Sequence, residues 1–341
     1  MTLLLCPPLP CLCYKNPMPD SATPLLDIRG LKTWYPIKKG VFARTAGYVR
    51  AVDGVDLTLK SGETLGIVGE SGCGKSTLAR TVLRLEKPRE GSVFLNGQDV
   101  FSLRGRALSA FRRAVQVVFQ DPHASLNPRH TVLDLLTEAM LVQGLVTREG
   151  RREAAVRLLG DVGLPGDILD RYPHAFSGGQ RQRICIARAL ALAPKLLICD
   201  EAVSALDLSV RAQVLNLLQE LKDKHRLSYL FITHDIGVVQ HIADRIAVMY
   251  LGKIVETGPA EIVLNTPAHP YTQLLLRAVP KIGVPLPEDV TVPADAARSG
   301  GRCGCAFAPR CPLADDACRA AAPALTPLTA AAGHMCACFK A

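Results

Sequence analysis

Thr64-Leu65-Gly66-Ile67-Val68-Gly69-Glu70-Ser71-Gly72-Cys73-Gly74-Lys75-Ser76-Thr77 decides the fold of this chain. A short, mostly apolar run enters a glycine-rich turn, and a helix begins around Lys75. The order predicts a buried strand, a phosphate-binding turn and a helix. Gly69, Gly72 and Gly74 let backbone N–H groups converge on phosphate oxygens, where a Cβ would block the turn or the ligand. Glu70, Ser71 and Cys73 complete that cradle. Lys75 can reach the β and γ phosphates, Ser76 can offer its hydroxyl to Mg²⁺, and Thr77 closes the set of nucleotide-binding positions.

A second strand is written in Lys195-Leu196-Leu197-Ile198-Cys199-Asp200-Glu201. Its four apolar residues suit the centre of a sheet, and its two acids fall at the C-terminal end, on the ligand side of an α/β sheet. The acids need different work. Asp200 is the candidate to hold Mg²⁺ through water, and Glu201 to polarise the attacking water. Negative charge accumulates on the transferring phosphoryl group, and Lys75, Mg²⁺ and backbone donors can stabilise it, each positioned donor by roughly 3 kcal/mol.

The whole chain has 341 residues and a mass of 36.7 kDa, enough for two or three folding units. Its 48% hydrophobic and 21% charged content excludes a mainly disordered, collagen-like or coiled-coil protein. A formal charge of +9 suits anionic partners without choosing among them. The longest uncharged tract, Ala320 to Phe339, is broken by Pro323, Pro327, Gly333 and His334 and fits a membrane interior poorly. The opening seventeen residues have no basic segment ahead of their apolar stretch and contain several prolines, so they read poorly as a secretory signal. Residues 1–23 are expected to be a disordered or non-native extension, with Met18 as an alternative start to Met1.

Residues 25–280 resemble the nucleotide-binding subunit of an ABC transporter. The resemblance rests on Phe176-Ser177-Gly178-Gly179-Gln180-Arg181-Gln182-Arg183, which looks like the family signature, together with the phosphate loop and Glu201. It implies an α/β fold: a phosphate-loop ABC ATPase core with an antiparallel β subdomain, an inserted helical subdomain and a small cysteine-rich C-terminal extension. It also implies that Ser177, Gly178, Gly179 and Gln180 contact the γ phosphate held by an opposite subunit. Small residues permit the approach, and the following helix turns its positive end toward the anion. Gln120 resembles the residue that reports γ-phosphate and Mg²⁺ occupancy, and joins Ser76 and Asp200 as a metal ligand. Asp207, in Ser204-Ala205-Leu206-Asp207, looks like the dimer-crossing loop, and His234 looks like the switch histidine. The catalytic set implied is Glu201, His234, Gln120 and Lys75. Tyr35 is the preferred aromatic for adenine, with Trp34 the alternative. One departure is Ala202, where the family commonly has proline; its absence is expected to leave Glu201 less preorganised.

The boundaries expected are 24–260 for the nucleotide-binding domain, 121–176 for its helical subdomain and 261–341 for the extension. Apolar stripes at Val132–Leu136, Ala139–Leu141 and Ala154–Leu159 supply the helices. Arg148, Arg151 and Arg152 read as a solvated face, and no nucleic-acid partner is expected. A strand at Arg245–Tyr250 should close the principal domain. Asn265–Leu275 and Asp121–Arg129 look like segments of oligopeptide and dipeptide importers, and Val49–Gly54 like the second ATPase type of their paired systems. The resemblance therefore implies an ATPase that powers peptide import. Its partners would be a paired homologous ATPase, two membrane permeases and an extracytoplasmic solute-binding protein, and its place the cytoplasmic face of the membrane. An importer of another small solute such as a nickel complex, or a weakly hydrolysing nucleotide-gated module, stays open.

The chain has 12 cysteines. Cys73, Cys185 and Cys199 read as unpaired small side chains. Cys305, Cys311, Cys318 and Cys338 match the four cysteines of the resembling extension; Cys336 falls where a small apolar residue is usual, and Cys303 is additional. Four thiolates can bind Zn²⁺ or an iron-sulfur cluster, or simply pack as thiols. The resemblance implies a 4Fe-4S cluster beside ATP and Mg²⁺.

Overall fold

The computed structural model describes residues 23–39, 44–278, 304–329 and 332–341; Met18 and Cys303 lie outside them. The chain opens on two long strands, β1 (Leu26–Lys39) and β2 (Arg44–Leu59). The apolar run becomes β3 (Thr64–Val68), and α1 (Lys75–Val82) begins where the glycine turn ends. Next come β4 (Glu90–Leu95), β5 (Gln98–Asp99), α2 (Gly105–Ala114) and β6 (Val115–Val118). Four helices follow before the sheet resumes: α3 (Pro122–Ser125), α4 (Val132–Val142), α5 (Arg151–Asp161) and α6 (Gly178–Leu190). The chain then alternates through β7 (Leu196–Asp200), α7 (Leu208–His225), β8 (Ser228–Thr233), α8 (Ile236–Ile242) and β9 (Arg245–Tyr250). It continues as β10 (Lys253–Pro259), α9 (Ala260–Asn265) and α10 (Pro270–Arg277). The last segment carries α11 (Asp316–Ala320), β11 (Thr326–Pro327) and β12 (Met335–Cys336).

Two sheets result. The smaller has the order β2-β1-β4-β5 and is antiparallel; the larger has the order β11-β12-β10-β9-β3-β8-β7-β6, with β9, β3, β8, β7 and β6 parallel. Strands β3, β7 and β8 are buried at every residue, which explains why their sequences run apolar without alternating. Alternation nevertheless sorts their side chains. Leu196, Ile198, Leu230 and Ile232 join the core shared with α1 and the small sheet, whereas Leu197, Cys199, Tyr229 and Phe231 join the opposite core with α7.

Register then places the chemistry. Val68 pairs with Thr233, Asp200 with Ile232 and Val118 with Cys199. The chain therefore leaves four neighbouring strands at Gly69, His234, Glu201 and Phe119-Gln120 along one carboxyl edge, where open α/β sheets bind ligands.

The large sheet does not end at Tyr250. It turns into β10, and β12 from the end of the chain pairs with β10 through Glu256 with Cys336 and Thr257 with Met335. The C-terminal extension thus covers what would be an open strand edge. Strands of two residues carry too little pattern to be read in advance.

Candidate active site

The phosphate loop is folded tightly around its own lysine. Lys75 is 4% exposed, and its ammonium donates to the carbonyls of Gly69 at 2.7 Å and Glu70 at 2.9 Å. Gly74 has φ +113, and a Cβ there would meet the Ala51 carbonyl oxygen at 1.9 Å; one at Gly69 would meet that of Met249 at 2.1 Å. Both glycines are therefore required by close backbone approach. Ser71 and Gly72 are exposed at the tip, and Thr77 is half-buried in the first turn of α1. Cys73 is buried, which raises its thiol above the ordinary value, and its N–H donates to the Glu70 carbonyl at 3.3 Å.

Ser76 Oγ donates to Asp200 Oδ1 at 2.9 Å. Burial, aided by the Glu201 charge, raises the Asp200 carboxyl above the usual range. A hydroxyl beside a carboxylate poorly stabilised as an anion is a donor set that fits a hard divalent cation. Beyond it, the Glu201 carboxylate lies 3.3 Å from His234 Nδ1, and the imidazole is half exposed toward the edge. Gln120 is also exposed there, just past β6.

Glu201 adopts a left-handed backbone, φ +51. Its N–H donates to the Ile232 carbonyl at 2.9 Å, and its carbonyl accepts from Ser204 N–H at 3.1 Å and Ser204 Oγ at 2.8 Å. These three bonds hold the residue from both sides, while Ala202 is buried in the core. The placement of Glu201 does not rest on residue 202 alone.

The two aromatics of β1 divide. Trp34 is met by the guanidiniums of Arg50 and Arg89, each 4.6 Å from its ring, and its indole N–H donates to Asp53 at 3.1 Å. Thr33, beside it, is buried and joined to α1 by a 3.0 Å Thr33–Thr81 hydroxyl bond. Tyr35 is half-buried and pairs with Val49 of β2.

Ser177 caps α6. Its hydroxyl accepts from Gln180 N–H at 3.3 Å, and its own N–H donates to Gln180 Oε1 at 3.1 Å, a reciprocal capping box. A Cβ on Gly179 would meet Val210 Cγ1 at 2.5 Å, whereas one on Gly178 meets nothing within 4 Å. Gly179 is thus explained by packing inside the chain and Gly178 is not. Among the described residues, Ser177–Gln180 make no hydrogen bond to Gly69–Thr77. Asp207 stands at the start of α7 without capping it, and Leu208 beside it is 81% exposed.

Against known proteins, the ABC transporter family model matches residues 52–204 and the oligopeptide/dipeptide transporter C-terminal region matches residues 255–318. The chain is 49% identical over 325 residues to the oligopeptide transport ATP-binding protein AppF of Bacillus subtilis, covering 92% of this chain and 96% of that protein. It is 46% identical over 327 residues to the dipeptide transport ATP-binding protein DppF of Escherichia coli, covering 93% and 94%. The chain belongs to the ATPase subunits of the oligopeptide/dipeptide ABC importer family.

The fold of this importer ATPase agrees with a solved dimeric ATP-binding cassette, MJ0796 in a post-hydrolysis state bound to ADP and Pi. The two share a TM-score of 0.61 and 29% identity over 69% of this chain and 98% of the other. As an ABC ATPase it binds and hydrolyses ATP. Among the described residues, no helix is long and apolar enough to cross a membrane.

Cys305, Cys311, Cys318 and Cys338 of the importer ATPase line one small apolar recess with His269, Pro270 and Phe307. Cys336 is absent from that lining and fully buried, its thiol pushed up by burial. Among the described residues, no three His, Cys, Asp or Glu side chains converge closely enough to hold a single metal ion.

Sequence reasoning missed two residues of the site. Tyr271 accepts the Glu70 N–H at 2.9 Å, and Arg310 donates twice to the Glu70 carboxylate, at 2.8 Å each. Their partner lies 201 and 240 residues away, so no local pattern announces the contact.

Proposed function

We propose that this subunit binds ATP in a site completed by a second ATPase chain, and that hydrolysis drives dipeptide or oligopeptide import through a pair of membrane permeases. The observation that carries this reading is the single carboxyl edge shared by Lys75, the Ser76–Asp200 pair and the Glu201–His234 pair. Lys75 would exchange its loop carbonyls for β and γ phosphate oxygens. Ser76 and Asp200, with Gln120, would hold Mg²⁺, which supplies charge neutralisation between the phosphates when bound. Glu201 would orient a water and accept its proton as the water oxygen bonds to the γ phosphorus and the bond to the β-phosphate oxygen breaks, releasing ADP. His234, against the Glu201 carboxylate, would orient that acid, and Tyr35 would stack on adenine.

Ser177, Gly178, Gly179 and Gln180 make no hydrogen bond to the chain's own phosphate loop among the described residues, and Leu208 beside Asp207 is exposed; both features support a site closed in trans by a paired homologous ATPase. The exposed Val142, Val156 and Tyr172 of the helical segment supply apolar surface for a permease. Binding and release of nucleotide would shift the closed and open arrangements and so move the membrane subunits. An extracytoplasmic solute-binding protein would deliver cargo, with this chain held peripherally on the cytoplasmic face.

The domain reading follows the same division: 24–260 for nucleotide binding, 121–176 for the helical arm and 261–341 for the extension. Its four recess thiols form an all-sulfur donor set of the kind that holds a 4Fe-4S cluster. Such a cluster would tie together a small tail poor in apolar core. The experiment is uptake of labelled dipeptides and oligopeptides by the reconstituted transporter. Uptake that requires ATP and is lost in Lys75→Ala is expected; ATP-dependent uptake of another solute with no peptide uptake would refute the cargo.

A further inference from the structure

The cysteine-rich extension touches the phosphate loop. Arg310 lies between Cys305 and Cys311, and its Nη1 and Nη2 donate to Glu70 Oε2 and Oε1, each at 2.8 Å. Its side chain is 5% exposed, against 35% for Glu70. Tyr271 binds the same residue by accepting the Glu70 N–H at 2.9 Å. Glu70 therefore has its backbone donor and both carboxylate oxygens held by residues beyond position 260. Its carbonyl accepts from the Lys75 ammonium at 2.9 Å, so the contacts run from Arg310 through Glu70 to the lysine expected on the phosphates.

The anchor is packed among aromatic rings at its base. Phe307 packs against Tyr250 at 5.3 Å and Tyr271 at 5.4 Å between ring centres, and Phe307 also lines the recess of Cys305, Cys311, Cys318 and Cys338. A two-pronged guanidinium–carboxylate pair fixes orientation as well as distance. It acts on the turn between Gly69 and Gly72, whose carbonyls at Gly69 and Glu70 accept from Lys75.

We infer that Arg310 is a positioning residue for ATP binding, orienting the phosphate loop through Glu70 and thereby making nucleotide affinity depend on the integrity of the cysteine-lined module. The inference rests on the proposed ATP site.

The test titrates ATP with Mg²⁺ into the full-length chain and measures KM and kcat in the assembled transporter. Arg310→Ala should weaken ATP binding roughly tenfold, raising KM while kcat stays within about twofold, since the reacting groups are untouched. Glu70→Ala should weaken binding similarly, and the double variant should be no worse than either single variant. Arg310→Lys keeps the charge but loses the fork, and should fall between. Because Arg310→Ala can loosen the module itself, the charge-swapped pair Glu70→Arg with Arg310→Glu is the control for folding: recovery to within about threefold of wild type supports direct coupling. Cys311→Ser should lower hydrogen-exchange protection in residues 69–75 without nucleotide present. Unchanged affinity in Arg310→Ala, or additive losses in the double variant, overturns the inference while wild-type ATP binding stands. Failure of the wild type to bind ATP would overturn both readings.

Discussion

Ser76 and Asp200, 124 residues apart, meet through a 2.9 Å hydroxyl–carboxylate bond that joins the first turn of α1 to the end of β7. The bond fixes the phosphate loop to the strand that leads into Glu201. Burial, aided by the Glu201 charge, disfavours the ionised form of that carboxyl.

Asp200→Asn should therefore separate stability from activity. The amide keeps an acceptor for Ser76 and removes a desolvated charge, so the nucleotide-free chain should melt at a higher temperature. Mg²⁺-dependent turnover should fall by about 100-fold or more. Thermal melting beside phosphate release checks both signs; a variant with lower melting temperature and near-normal turnover would refute the assignment.

The adjacent signature glycines should behave differently. Gly178→Ala meets open space and should be neutral or slightly stabilising, by less than about 1 kcal/mol, yet should suppress turnover in the assembled transporter. Gly179→Ala pushes into Val210 and should destabilise by about 1–3 kcal/mol. Denaturant unfolding of the two variants with ATPase assays distinguishes the roles. Full activity in Gly178→Ala would remove the reason for an external contact at that position.

These glycines also show what could be read in the chain. The motif at Ser177 announced a signature, but only the distance to Val210 separates a packing glycine from one left open. The phosphate loop and both carboxylates were legible because spacing within a few residues encodes the turn, the strand end and the ligand side. The helical arm was legible from apolar stripes that became α4 and α5. The sorting of β7 and β8 side chains between two cores was not, since strands buried on both faces lose the pattern that alternation would print. Likewise β12, of two residues, and the Arg310–Glu70 pair depend on tertiary contact alone.

His269 gives the extension a pH dependence. Its Nδ1 accepts the Tyr271 N–H at 3.0 Å to cap α10, and burial lowers its pKa to about 4, opposed by the nearby Glu256. Glu256 itself accepts from the N–H groups of Ala268 and His269 and lies 2.8 Å from His334. The unfolded chain binds a proton near pH 6.5 and the folded chain only near 4, so this stability is complete above pH 6.5 and is lost as pH falls toward 4. The slope is about 1.4 kcal/mol per pH unit within that window. Melting wild type and His269→Asn between pH 7.5 and 4.5 should show a shallower fall for the variant, which keeps a capping acceptor. Parallel curves would contradict the buried neutral imidazole.

The four recess cysteines yield a compositional test. Protein purified without oxygen should carry iron and acid-labile sulfide in equal amounts, and Cys318→Ser should lose both. Stoichiometric zinc without sulfide would refute the cluster.

Trans closure of the ATP site is tested most directly by sedimentation of Glu201→Gln with its paired ATPase, with and without ATP and Mg²⁺. Nucleotide should drive association of the two chains, and adding Ser177→Arg should abolish that association while ATP binding to the phosphate loop persists. Association indifferent to ATP, or undisturbed by Ser177→Arg, would contradict a nucleotide enclosed between two chains.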